Sequence, residues 1–211
     1  MSNKPASAGE LFVIAAPSGA GKSSQIRRLL ERCPNLAFSV SATTRPARQG
    51  EHDGQHYHFI DTSSFQARIQ QGRFLEYAEV FGHYYGTDRA HVEQLWQQGR
   101  DVLLEIDVQG AAQIRQSYPD ACQIFILPPS MAILKKRLVD RGTDQPDVIE
   151  RRLGEAQSEI AACASFDWVV INDDFDQAAA ELASIVCAWP LRAERQHRIH
   201  RHLLAELLAK P

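Results

Sequence analysis

Residues 11–32 constrain the fold more than any other part of the chain. They open with the apolar run LFVIAA, continue through PSGAGKSS, and end in QIRRLLER, whose apolar spacing is typical of a helix. A buried strand, a glycine-rich turn and a helix in this order predict a loop whose backbone N–H groups surround a phosphate. Lys22 would add a mobile positive charge, and the Ser23 hydroxyl would be a ligand of Mg²⁺. The predicted loop comprises Ala16, Pro17, Ser18, Gly19, Ala20, Gly21, Lys22, Ser23 and Ser24.

Ala16 departs from the usual loop pattern GxxxxGK[ST], which has glycine at that place. Because Ala16 precedes Pro17, its backbone is biased towards extended conformations, and alanine adopts these without strain. The positions that need the freedom of glycine are those at which the loop turns tightly, and Gly19 and Gly21 stand there. We therefore expect a working loop despite the alanine.

Three further apolar runs, VLLEID, CQIFIL and WVVIN, occupy residues 102–107, 122–127 and 168–172 and are interpreted as buried strands. Helical patterns lie between them. Strands that alternate with helices indicate a parallel sheet with crossover helices. The predicted fold class is therefore α/β, with a P-loop NTPase-type parallel sheet core flanked by helices. Ligands of such sheets bind at the carboxyl ends of the strands.

Residues 36–87 interrupt this alternation with short alternating runs around the turn-rich segment RPARQGEHDGQ, which indicates a small β-rich insertion. The polar stretch DRGTDQPD at 140–147 lies between two arginine-rich helical patterns and predicts a lid. We expect a single domain over 1–211. Its predicted parts are a core over 10–40, 88–136 and 155–211, an insertion over 41–87 and a lid over 137–154.

Composition excludes several classes of protein. A chain of 211 residues suffices for one sizeable core, and its net charge of -3 offers no broad basic face for a nucleic acid. The 4 cysteines are scattered with no CxxC pair, which favours reduced thiols. The polar N-terminus lacks the apolar centre of a signal peptide, and no apolar run approaches about 18 residues. We expect a cytoplasmic protein with no nucleic-acid or membrane partner.

A second cluster lies in the insertion, where TTRPARQGEHDGQHY places two arginines ahead of a tyrosine. Guanidinium groups and a phenol form a good second anion site. The segments FLEYAEVFGHYYGT, DVQG, RLVDRGT and INDDFD follow in this order. Together these motifs closely resemble guanylate kinases, and the resemblance runs from about residue 10 to about residue 188. Several spaced motifs in the right order are more specific than the loop alone.

The resemblance implies a kinase that transfers the γ-phosphoryl group of ATP in line to GMP, and to dGMP, with Mg²⁺ and closure of the lid. It implies that the loop binds ATP and that Asn172 lies near the ATP base or ribose. The implied catalytic residues are Lys22, Arg137, Arg141 and Arg152. The implied GMP-phosphate residues are Arg45, Arg48, Tyr57 and Tyr85. The implied guanine residues are Ser41, Glu76, Thr87 and Asp107.

The family usually reads DID where this chain has EID, from Glu105 to Asp107. Residues two apart on a strand face the same side, so we expect Glu105 and Asp107 to share a face. The extra methylene of Glu105 makes Asp107 the preferred candidate for contributing to the Mg²⁺ site, through a water molecule.

Two other functions are compatible with parts of this pattern. Some scaffold proteins carry a guanylate-kinase-like domain that binds phosphorylated peptides, and loss of the loop lysine would favour that function, whereas Lys22 is present. A kinase acting on a sugar phosphate would not need Glu76 or the YYGT run. Both alternatives are less consistent with the residues than GMP phosphorylation.

Pro190 predicts the end of the last long helical pattern, and LRAERQHRIHRHLLAELLA then reads as one separate amphipathic helix. Its apolar stripe would pack either on the domain or on a second subunit, which would make a homo-oligomer. The stripe consists of Leu191, Ile199, Leu203 and Leu207. The three histidines of this segment lack a nearby carboxylate, and we expect them to be solvated rather than to bind a metal.

Overall fold

The computed structural model describes residues 9–140 and 145–209. The strands of these segments are, in chain order, β1 (Leu11–Ala15), β2 (Leu36–Ser39), β3 (Ala42–Thr43), β4 (His58–Phe59), β5 (Phe74–Val80), β6 (His83–Asp88), β7 (Asp101–Glu105), β8 (Cys122–Leu127) and β9 (Trp168–Ile171). The α-helices are α1 (Lys22–Arg32), α2 (Thr62–Gln70), α3 (Arg89–Gln97), α4 (Val108–Ser117), α5 (Met131–Asp140), α6 (Pro146–Ala161), α7 (Phe175–Ala188), α8 (Ala193–Ile199) and α9 (Arg201–Leu208).

The larger sheet has five parallel strands in the order β2-β7-β1-β8-β9. Strand β1 lies at its centre, where Leu11 pairs with Val102 of β7 and Phe12 pairs with Cys122 of β8. The predicted α/β fold with a parallel sheet core is therefore confirmed. Because β1 has a neighbour on each side, the loop that follows it emerges in the middle of the carboxyl edge of the sheet.

The alternating side chains of β1 divide the core into two layers. Phe12 and Ile14 pack with residues of α1 and α7, such as Leu29 and Leu182, on one face of the sheet. Leu11 and Val13 belong to a second cluster on the other face, which includes residues of α3 and α4. Helices thus cover both faces of the sheet, as its continuous apolar strands require.

A second sheet, of four strands in the order β4-β3-β6-β5, occupies the predicted insertion. The insertion also contains α2, which we did not predict. Asp61 caps this helix by accepting a hydrogen bond from the Ser64 N–H at 2.8 Å, and Phe65 stacks on Phe74 of β5 with ring centroids 4.4 Å apart. The run DTSS is a helix-start signal that the alternating pattern around it obscured.

The interpretation of WVVIN as a buried strand is wrong. Strand β9 is the outermost strand of its sheet, and Trp168, Val169 and Ile171 are 44%, 46% and 57% exposed. The single C-terminal helix is also wrong, because the chain forms a 3₁₀ turn at Trp189–Leu191 and then the two helices α8 and α9, separated at His200. Among the described residues, every helix is too short or too polar to cross a membrane.

Candidate active site

The loop between β1 and α1 has the conformation that its glycines suggest. Gly19 and Gly21 have φ angles of 94° and 91°, in the left-handed region, so the prediction for these two positions is confirmed. Ala16 is not among the described non-glycine residues with positive φ, and it is buried against the core. A Cβ at Gly21 would also overlap the amide nitrogen of Asn172. Alanine is therefore compatible with position 16 but not with position 21.

Lys22 and Ser23 begin α1 beside the end of β7. The Ser23 Oγ donates a hydrogen bond of 3.0 Å to Oε1 of Glu105, and the Lys22 Nζ lies 3.8 Å from the same oxygen. Glu105 is the last residue of β7, which parallel pairing with Ile14 holds next to the loop. A cation, a hydroxyl and a carboxylate therefore meet at the N-terminus of α1, where the helix dipole favours an anion.

Asp107 lies in a different position from Glu105. Strand β7 ends at Glu105, and Asp107 caps α4 by accepting a hydrogen bond of 2.8 Å from the Gly110 N–H. The expectation that the two residues share a face of one strand is therefore wrong, because the chain has left the strand before Asp107. The structure brings Glu105, not Asp107, into contact with Ser23.

Asn172 follows β9 and lies behind the loop. Its Nδ2 donates to the Ala20 carbonyl at 2.6 Å, and its Oδ1 accepts from Gln25 Nε2 at 2.8 Å. The buried amide thus fixes the backbone of the loop against α1. The partners of Asn172 in the structure are Ala20 and Gln25. Its contact with the ATP base or ribose stays a prediction.

Two of the predicted lid arginines also contact the loop. Arg137 on α5 donates to the Ala20 carbonyl of the loop at 3.4 Å and to the Asn172 carbonyl at 3.0 Å. Arg152 on α6 reaches the Ser18 Oγ at 3.4 Å. Helices α5 and α6 approach the loop from outside the sheet and bring both guanidinium groups to its open side. Arg141, the third predicted arginine, lies outside the described residues.

The insertion contains a cluster of an arginine and two tyrosines. Arg45 pairs with Glu51 at 2.8 Å, and its guanidinium lies 5.4 Å from the ring centre of Tyr57. Tyr57 meets Tyr85 edge to face at 5.8 Å. Burial, with a further contribution from the charge of Glu105, raises the pKa of Tyr57 to about 12. The phenol therefore stays protonated and can donate to an anion.

Arg48 is the exposed member of the predicted phosphate-binding group, and its own backbone N–H donates to Glu51 at 2.7 Å. Glu51 therefore orders both ends of the turn that carries Arg45 and Arg48. We predicted no role for Glu51, although it is the glutamate of the segment TTRPARQGEHDGQHY. A carboxylate that follows two arginines in a turn is the signal that identifies such a residue.

Glu76 is almost fully buried in β5, opposite Thr87 of β6 in the register of the hairpin. The Thr87 hydroxyl donates a hydrogen bond of 2.6 Å to its Oε1, so this proton is directed to Glu76. Burial, with a further contribution from the charge of Asp107, raises the pKa of Glu76 to about 7. Ser41, a predicted guanine contact, is buried at the start of the same insertion.

Two residues near the site escaped the sequence analysis. Gly110 leaves room for Glu76, because a Cβ at this position would overlap its Oε2. Glu159 lies seven residues after Arg152 on α6 and accepts a hydrogen bond from the Ser18 N–H. Burial raises the pKa of Glu159 to about 7, against the opposing effect of the Lys22 charge. The seven-residue spacing places Arg152 and Glu159 on one face of the helix, which is a signal that a sequence contains.

The phosphate loop and the arginine–tyrosine cluster of the insertion lie near one another. Glu105 contacts Ser23 of the loop, and its charge acts on Tyr57 of the insertion. Asp107 likewise acts on Glu76 of the insertion and on Glu159 of α6. The site thus combines the loop with Lys22, the arginine–tyrosine cluster and the buried carboxyl group of Glu76.

Comparisons with known proteins agree with this geometry. The family model described as guanylate kinase matches residues 8–188. The chain is 50% identical over 200 residues to the guanylate kinase of Alkalilimnicola ehrlichii, an alignment that covers 95% of this chain and 98% of the relative. It is 50% identical over 204 residues to that of Vibrio parahaemolyticus, covering 96% and 99%.

Solved structures give the same result. The crystal structure of guanylate kinase from Anaplasma phagocytophilum matches with a TM-score of 0.79 at 33% identity, over 97% of this chain and 98% of that one. The family model, the relatives and the fold all span nearly the whole sequence. The chain belongs to the guanylate kinase family.

Proposed function

We propose that the protein transfers the γ-phosphoryl group of ATP to GMP, giving GDP and ADP, and that it accepts dGMP as well. The observation that carries this proposal is the buried carboxyl group of Glu76 in the insertion of a chain that also has a glycine-rich loop with Lys22. Membership of the guanylate kinase family supports the same reaction. The acceptor is the nucleotide held by the insertion, and the donor is the nucleotide held by the loop.

Glu76 supplies the selection of guanine over adenine. Guanine presents two adjacent donors, N1–H and the 2-amino group, which one carboxylate accepts together. Adenine has an acceptor at N1 and no 2-amino group, so it leaves the buried carboxylate unpaired. Thr87 positions Glu76 through its hydrogen bond, and Ser41 and Asp107 add contacts to the base. A site of this kind discriminates by about 10⁴-fold or more.

The acceptor phosphate is already anionic, so the reaction needs no general base. Its binding is assigned to Arg45, Arg48, Tyr57 and Tyr85. What the protein must supply is in-line positioning of two polyanions and neutralisation of the charge on the transferred group. Lys22 and Arg152 carry charges suited to this role beside the loop, and Arg137 braces the loop backbone.

A divalent metal bound with ATP, which we propose is Mg²⁺, fits the oxygen atoms beside the loop. The Ser23 hydroxyl and the Glu105 carboxylate lie 3.0 Å apart, and such hard oxygen ligands are those that Mg²⁺ takes together with phosphate and water. Ser23 and Glu105 would hold the ion, with Asp107 contributing only through water. Such an ion neutralises phosphate charge and orients the phosphates when it is bound.

Closure of the lid is part of the proposal, because water in the cleft would hydrolyse ATP. Helix α6 brings Arg152 to the loop, so its movement would couple access to the cleft with catalysis. We retain the division into a core, an insertion over 41–87 and a lid over 137–154. We also propose that the C-terminal helices join copies of the chain, because Leu203 and Leu207 are 51% and 71% exposed.

An assay of ADP release with GMP, dGMP, AMP, CMP and UMP as acceptors tests the function. We expect GMP and dGMP to be phosphorylated and AMP to be a very poor acceptor. Glu76→Gln should lower kcat/KM for GMP at least ~10²-fold, or about 2.7 kcal/mol, because one acceptor becomes a donor. Comparable rates with AMP would exclude the proposed recognition. An inactive parent that still binds GMP would indicate a binding module.

A further inference from the structure

The turn between β5 and β6 consists of two residues, Phe81 and Gly82, because Val80 pairs with His83 across the hairpin. Both turn residues have positive φ angles, 54° for Phe81 and 77° for Gly82. A two-residue hairpin turn of this kind favours asparagine, aspartate or glycine at its first position. Among the non-glycine residues of 9–140 and 145–209, Phe81 alone has a positive φ angle.

A bulky side chain in this conformation is strained, and the formation of the turn does not explain its presence. The ring of Phe81 is also not in the core, since 41% of the residue is exposed. A strained aromatic side chain at the tip of a hairpin therefore requires a reason outside the hairpin itself.

The reason lies on α6. The guanidinium carbons of Arg151 and Arg152 lie 5.5 Å and 5.6 Å from the centre of the Phe81 ring. Both distances are within the range of cation–π contacts. The tip of the insertion hairpin thus contacts the part of α6 that lies within the predicted lid, residues 137–154.

Arg152 makes a second contact on the other side, to the Ser18 Oγ of the phosphate loop at 3.4 Å. The hairpin that carries Phe81 also carries Glu76 and Thr87, the proposed guanine residues. One arginine therefore touches both the loop and the ring at the end of the guanine-binding hairpin.

We propose that Phe81 is a positioning residue that holds Arg152 over the phosphate loop and couples the insertion to α6. The inference rests on the proposed function and adds to it a link between the two nucleotide sites. Occupation of the insertion by GMP sets the position of the hairpin, and the hairpin tip sets the position of the arginine. Phe81 itself touches neither nucleotide, so its effect belongs to the rate of transfer and not to GMP binding.

The test compares Phe81→Asn with Phe81→Tyr. Asparagine suits the turn but has no aromatic face, whereas tyrosine keeps the face. We expect Phe81→Asn to lower kcat about tenfold, or about 1.4 kcal/mol, with the KM for GMP within about twofold of the parent. The same variant should unfold at the temperature of the parent or above it, because the strain is relieved. Phe81→Tyr should keep the kcat of the parent.

A double-mutant cycle with Arg152→Ala separates positioning from a general effect. If Phe81 acts through Arg152, Phe81→Asn should cause no further loss in the Arg152→Ala background. The inference is overturned if the loss is equal in both backgrounds, or if Phe81→Asn keeps the kcat of the parent. Failure of the parent to phosphorylate GMP would instead refute the proposed function, so the two failures are distinguishable.

Discussion

The proposed role of Glu76 places three requirements on its side chain. In this proposed role, it is buried to exclude water from the base, stays ionised to accept two hydrogen bonds, and is held in one orientation. Burial opposes ionisation and raises its pKa to about 7, while the bond from Thr87 favours the charged form. The ionised fraction of Glu76 therefore changes across neutral pH.

Recognition of GMP should follow this ionisation. Because the pKa of Glu76 is raised, the acceptor form dominates above about pH 7 and is lost below it. We expect kcat/KM for GMP to fall about tenfold between about pH 8 and about pH 6, since this parameter reports the free enzyme. The phosphate of GMP also titrates near pH 6. The pH profile of Glu76→Gln gives the contribution of the GMP phosphate alone. Identical profiles for parent and variant would contradict the role of Glu76 in recognising guanine.

Gly110 tests whether the position of Glu76 matters as well as its charge. A Cβ at this position would overlap Oε2 of Glu76, so Gly110→Ala must displace the carboxyl group. We expect kcat/KM for GMP to fall about tenfold with the KM for ATP unchanged. Gly154→Ala is the matched control, because this glycine also lies within a helix and a Cβ there meets nothing within 4 Å. Equal effects of the two substitutions on GMP would show that Gly110 has no special role.

Ala16 tests the reading of the loop. It has no positive φ and is buried, so Ala16→Gly removes a small packed methyl group without relieving strain. Steady-state kinetics should show ATP use within a few-fold of the parent, whereas Lys22→Ala should abolish transfer. A glycine variant that is about 100-fold more active, equivalent to ~2.7 kcal/mol in the barrier, would mean that the alanine impairs the loop.

At the scale of elements, α6 carries Arg152, whose charge we propose serves catalysis. Arg152 contacts the loop without being part of it, so Arg152→Ala should lower kcat by about 10²-fold and leave the Kd of ADP within about twofold. Lys135→Ala is the control, because it removes an exposed ion pair between α5 and α6, with Glu150, and such pairs contribute little. Rapid-mixing kinetics and a binding titration measure the two quantities. Equal losses in binding and turnover would contradict the assignment.

The elements also mark the limit of what the sequence predicts. Four of the five strands of the parallel sheet and the glycine positions of the loop follow from apolar runs and from chain stereochemistry, which are local. Strand β2 was not predicted, because its short run resembles the alternating runs of the insertion that follows. The end of β7 does not, because Glu105 and Asp107 fit a strand equally well until the cap to the Gly110 N–H is seen. The exposure of β9 is likewise set by strand order, because the apolar sequence of an edge strand can resemble that of a central strand.

The site shows the same division. The loop, the arginines and Glu76 are recognisable from motifs, whereas Glu159 and Phe81 acquire partners only when α6 meets the loop and the hairpin. Their contacts join residues distant in sequence. The helical spacing places Glu159 on the face of Arg152, but it does not predict that this face meets the loop and the hairpin.

At the scale of the whole molecule, α8 ties the end of the chain to its beginning. Glu10, 1% exposed, pairs with Arg192 at 3.6 Å and with Arg195. Removing residues 191–211 would take both guanidinium groups from a buried carboxylate, a loss that typically costs 3–5 kcal/mol. Removing only residues 201–211 spares that pair and deletes the exposed leucines of α9.

We therefore expect the shorter truncation to retain GMP kinase activity and thermal stability, and the longer one to unfold at a lower temperature. Sedimentation of the shorter truncation tests assembly at the same time. Fewer chains per particle than in the full-length protein would support self-association through α9. An unchanged number of chains per particle would exclude it.

The central place of β1 has a consequence for synthesis on the ribosome. Strand β1 is translated first among the strands, yet its two neighbours, β7 and β8, are made only after the whole insertion. Strand β1 has no flanking ladder until Glu105 has left the exit tunnel, and the ladder on its other side waits for β8. The support that Asn172 gives to the phosphate loop comes later still. The nascent chain therefore acquires its ATP site late, after the insertion that would hold the acceptor has emerged.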